Sequence, residues 1–148
     1  MEPRDIAVGL SRGRIAIGAA ALAMPGLASR VMFGRDGARP GTRAFARMLG
    51  GRDVALGLGV VIALDRGAPV RGWLEASALA DSVDLVTCML AGNDIPRAAR
   101  LNTIVLAGGA ALAGAWLSRQ LDPPPAADPG HPEAVATGHP SEPRGAGS

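Results

Sequence analysis

Two aspartates, Asp81 and Asp84, interrupt an otherwise apolar stretch, Gly72–Gly92, and carry the most chemical promise in the chain. At 100° per residue along a helix, Ser77, Asp81, Asp84 and Cys88 fall within about 60° of one another, so they form one polar stripe. Carboxylates held close together in a low-dielectric setting resist ionising together, which suits proton or ion handling. The same stripe would equally serve as a seam that hydrogen-bonds neighbouring helices and fixes their register. A second constellation, Arg52-Asp53, lies within Gly50-Gly51-Arg52-Asp53-Val54-Ala55-Leu56-Gly57. Asp53, Gly57, Val60 and Leu64 share a helix face, so an acid and a close-packing glycine look toward one neighbour. A buried carboxylate without a partner is expensive, which makes Arg52 the candidate counter-charge for Asp81 or Asp84. In the alternative, Arg52 reaches toward lipid headgroups and Asp53 opens a helix near its positive dipole end.

Other chemistry is poorly served. Both histidines, His131 and His139, fall in the Pro-rich C-terminal stretch, far from any candidate nucleophile. Cys88 is the one cysteine, which rules out an internal disulfide and a multi-cysteine metal site; with no basic group nearby it reads as a small apolar residue. The many glycines fit no dinucleotide fingerprint, P-loop or nucleophile elbow. The expectation is therefore no catalytic residue, no cofactor and no metal: the chain is not read as an enzyme. The third possibility, a membrane enzyme subunit, would use Asp81 and Asp84 as general acid and base.

The elements that must position these acids follow from hydropathy. Of 148 residues, 48% are hydrophobic and a further 21 are glycine, while charged residues are only 19% against roughly 25% in soluble domains. Four helices are expected, at about 15–33, 42–64, 72–92 and 101–120. A helix needs about 20 residues at 1.5 Å each to cross roughly 30 Å of hydrocarbon. Ile15–Phe33 and Leu101–Ser118 meet that requirement, and Val54–Leu64 meets it once its helix starts near Thr42. In Gly72–Gly92 the two aspartates cost roughly 5–7 kcal/mol on insertion, against about 4 kcal/mol recovered from its large apolar residues. Partner helices are thus required. Breaks are expected at Gly34–Pro40, Arg66–Arg71 and Asn93–Arg100, where glycine, proline and charge cluster.

The expected fold is all-α: a four-helix transmembrane bundle over 15–121, preceded by an N-terminal segment, 1–14, and followed by a disordered Pro-rich tail, 122–148. Arg12 and Arg14, the apolar run after them and Ala21-Leu22-Ala23 also satisfy the pattern of a cleavable signal peptide, but the apolar run continues past Pro25. Small residues give two candidate packing faces: Arg14, Gly18, Ala21, Pro25 and Ser29 in the first helix, and Asn102, Leu106, Gly109, Ala113 and Trp116 in the fourth. All 15 basic residues are arginine, and their split between the two ends of such a bundle gives no orientation. A net charge of +2 with few aromatic residues excludes nucleic acid as a partner. The expected partners are the lipid bilayer and either a second copy or another membrane protein. The expected location is a bacterial plasma membrane, crossed several times. A small soluble helical bundle is the competing reading.

The segment Arg47–Gly57, with its Gly-x-Arg-Asp-x-x-x-Gly element, together with Ala80-Asp81-Ser82-Val83-Asp84, resembles small four-helix integral membrane proteins of actinobacteria. In that family the element opens the second helix and an Asp sits within the third. The resemblance covers Ile15–Leu121. It implies an integral membrane protein with no assigned activity and transfers no catalytic residue.

Overall fold

The structure is a computed structural model that describes residues 2–121. The expected disordered tail, 122–148, and both histidines lie outside the described residues. Within them every regular element is helical: α1 (Pro3–Ala23), α2 (Pro25–Phe33), α3 (Pro40–Asp65), α4 (Arg71–Ala91) and α5 (Arg97–Leu121), with short 3-10 turns at Gly34–Ala38 and Gly92–Asp94. By length and composition α1 and α5 are able to cross a membrane.

Proline sets most helix starts. Pro3, Pro25 and Pro40 each occupy the first turn, where a missing N–H costs nothing and the fixed φ suits the helix. This corrects two expectations. The N-terminal segment, 1–14, is not separate from the first helix, because Pro3 starts a helix that runs unbroken through Arg12 and Arg14, with Asp5 in its first turn near the positive dipole end. Nor is 15–33 one helix. Pro25 cannot donate to the helix before it and forces Met24 out of helical geometry, to φ −126° and ψ 57°, so the run splits there. Glycine sets two of the stops: Gly34 after α2 and Gly92 after α4 take φ of 59° and 54°, values that side chains disfavour. Expected starts at 42, 72 and 101 become Pro40, Arg71 and Arg97.

The four long helices form two antiparallel pairs. In the first, α1 packs against α3 through glycine. A Cβ added to Gly18 would come within 2.6 Å of the Gly50 carbonyl, and one added to Gly50 equally close to that of Gly18. Farther along, Gly57 lies against Ser11 and Ile15, and Arg4 donates to the Leu64 carbonyl at 2.7 Å. Backbones this close gain dispersion contacts that larger residues would forbid. In the second pair, Gly114 of α5 rests on Ala78 and Leu74 of α4. The expected α5 packing face was therefore wrong. Leu106 and Trp116 are exposed, Gly109 faces open space among the described residues, and Gly114 with the fully buried Leu117 forms the contact instead.

The two pairs meet more sparsely. A small core of Ala7, Val60, Ala63, Leu64, Val70, Leu74 and Leu117 joins them at the end that holds the α1 N-terminus. Elsewhere the burial pattern is inverted relative to a water-soluble bundle. Leu90 is 83% exposed, Leu112 76% and Leu79 67%, whereas Asp81 is 5% exposed.

Candidate functional site

Five charged side chains meet halfway along the helices. Asp81 is the central residue of α4, Arg14 lies one residue past the centre of α1, and Arg52 and Asp53 are the central pair of α3. Helical periodicity turns Ser77, Asp81 and Cys88 inward together, and all three are buried. Asp84, one turn on, is half-buried on the same side.

The contacts bind the two helix pairs to one another. Arg52 grips Asp84 with both ends of its fork, Nη1 to Oδ1 at 2.9 Å and Nη2 to Oδ2 at 2.7 Å. Such paired charge-assisted bonds are directional as well as strong. Arg52 Nη2 also donates to Asp53 Oδ1 at 3.1 Å. Arg14 donates through Nη1 to the same Asp53 oxygen at 3.0 Å and through Nη2 to Asp81 Oδ2. The side chains of Arg14, Asp53 and Asp81 are only 14%, 17% and 8% exposed. Two guanidinium groups thus face three carboxylates, so with all five ionised the network carries one net negative charge. The buried Nε of Arg52 has no acceptor among the described residues, a loss of order 1–3 kcal/mol.

Sequence reasoning singled out Arg52, Asp53, Asp81 and Asp84, and the fold brings all four into this network. Asp81 and Asp84 do not form a pair of their own; each has its own arginine. Arg14 was missed as a partner because it was read as the flank of a shorter first helix. The available signal was its place on one helix face with Gly18 and Ala21, a face that turns out to pack on α3.

Beside the network, a cleft of about 840 Å³ opens between the two helix pairs. Arg14, Asp53, Asp81 and Asp84 line it, and the α5 residues Asn102 and Thr103 add further polar groups to a mostly apolar wall. That volume lies in the range of small-molecule sites. The arrangement can hold charge, select for charge and hold helices in register. It offers no nucleophile–base pair: Cys88 is buried, with Sγ 4.0 Å from the Arg100 carbonyl oxygen. Among the described residues no group of three or more His, Cys, Asp or Glu is placed to hold a metal ion. No known family model, curated protein or solved structure matches the chain.

Proposed function

We propose that the chain is an integral membrane protein that crosses the bilayer four times, through α1, α3, α4 and α5, and acts by association and binding rather than catalysis. One observation carries this reading: acids and arginines are gathered inside at mid-helix, while large apolar side chains such as Leu79, Leu90 and Leu112 face outward. Water would favour the reverse; in lipid, outward leucine costs nothing and inward charge must find a partner. At 1.5 Å per residue the four helices measure roughly 31–39 Å, enough for about 30 Å of hydrocarbon. The insertion cost of α3 and α4 is offset by the ion pairs to Arg14 and Arg52. Arg12 is exposed one residue before the middle of α1, and its stem leans along the helix toward the N-terminal end.

The network is then first a lock between the two helix pairs, which supports association over proton transport through Asp81 and Asp84. Both oxygens of Asp84 are already engaged by Arg52. The resemblance to small actinobacterial membrane proteins is a further support for an integral membrane protein.

Alkaline carbonate extraction followed by sidedness labelling tests this. The chain stays in the pellet, and single cysteines at Ala38 and at Ala68, in a Cys88→Ala background, react with an impermeant maleimide from opposite faces. Release into the supernatant, or labelling of both from one face, refutes the reading.

A further inference from the structure

We propose that the cleft between the two helix pairs binds a protonated amine carrying an apolar body, with Asp81 and Asp53 receiving the ammonium group. The inference rests on the membrane reading above, because it depends on charge held away from water.

Three features converge. First, the network holds three carboxylates and two guanidinium groups, and an isolated excess charge in a low-dielectric interior is strongly disfavoured. A bound cation removes the excess. Second, the carboxylates have unused capacity where the cleft reaches them. Asp81 Oδ2 and Asp53 Oδ1 accept from Arg14, whereas Asp81 Oδ1 and Asp53 Oδ2 accept no hydrogen bond from the described residues, although the Asp81 side chain is only 8% exposed. Both residues line the cleft. An ammonium carries three donors. Two meet these oxygens, and Ser77, one turn before Asp81 on the cleft wall, offers its hydroxyl to the third. Third, the rest of the wall is apolar, including Leu106 and Ala110 of α5, and matches a hydrophobic body rather than a bare ion. A hard metal cation is poorly served, since it takes about six or more oxygen ligands and the acids among the described residues do not converge to supply them.

The test uses the full chain in phosphatidylcholine nanodiscs at neutral pH, with tritiated 1-adamantanamine as the probe and 1-adamantanol as its uncharged counterpart. The amine binds saturably at one site per chain, and the alcohol competes at least about tenfold more weakly, as expected when a charge-assisted hydrogen bond is missing. Asp81→Asn weakens amine binding by about tenfold or more while leaving the unfolding midpoint close to that of the parent. Ala110→Phe, which narrows the cleft and leaves every charge in place, weakens it as well. Equal competition by the alcohol would reduce the cleft to a groove for lipid tails and overturn the proposal. Undiminished binding by Asp81→Asn, absence of saturable binding, or displacement of the amine by sodium chloride but not by choline chloride would overturn it too. Failure of the membrane reading shows separately, as release during carbonate extraction.

Discussion

Removing Arg14 and removing Asp81 break the same ion pair, yet the two changes should differ sharply in cost. Replacing Arg14 with leucine leaves Asp81 with a side chain 8% exposed and no counter-charge, and leaves Asp53 to Arg52 alone. The network then carries two net negative charges instead of one. Stranding one member of a buried pair costs about 3–5 kcal/mol. Replacing Asp81 with asparagine has the opposite effect on the charge balance, since two arginines now face two aspartates. Arg14 keeps Asp53 at 3.0 Å, and the amide oxygen still accepts a hydrogen bond. Only an ion pair is exchanged for a hydrogen bond from the guanidinium to a neutral amide oxygen, a loss of about 1 kcal/mol. In the double variant the stranded acid is gone, so the Arg14→Leu penalty should shrink by about 2 kcal/mol or more, well beyond ordinary additivity error. Unfolding in mixed micelles, followed by Trp73 and Trp116 fluorescence, reads all three. Equal costs for the two single changes, or additivity in the double, would show that Arg14 does not serve the buried acids.

The remaining expectations are as direct. Exchanging the charges of Arg52 and Asp84 should restore the protein level in membranes that either single change lowers, because their paired bonds at 2.9 and 2.7 Å are reciprocal; quantitative immunoblotting checks this, and no recovery refutes the pairing. Gly50→Ala should destabilise by about 1–3 kcal/mol, since the new Cβ would sit 2.6 Å from the Gly18 carbonyl oxygen and the backbones must separate. Gly109→Ala meets open space and should be neutral or stabilising by up to about 1 kcal/mol through helix propensity; the same unfolding assay compares the two.

Where helical period and punctuation act alone, the sequence was readable. The stripe of Ser77, Asp81, Asp84 and Cys88 needs only 100° per residue, and its inward turn follows from the cost of exposing acid to an apolar medium. Extension of the Val54–Leu64 run back toward Thr42 follows from a lack of helix breakers, and Pro40 completes it. Features that depend on another helix were hidden. Arg12 and Arg14 look alike in sequence, but only Arg14 faces α3 and α4, so one arginine pairs and its neighbour is exposed. In α5, Gly109 and Gly114 have equal claim to a packing face until Ala78 and Leu74 of α4 select Gly114. The cleft was equally invisible, because it arises where two tightly packed pairs fail to close on one another.

Leu79 provides the most direct test of whether hydrocarbon surrounds this bundle. It is 67% exposed and lies two residues from buried Asp81, at mid-helix in α4. A nitroxide placed there, in a Cys88→Ala background and in bilayers, should be relaxed strongly by oxygen, which concentrates in hydrocarbon, and hardly at all by a water-soluble nickel complex. Strong relaxation by the nickel complex would put water at the centre of α4 and contradict the membrane-spanning arrangement.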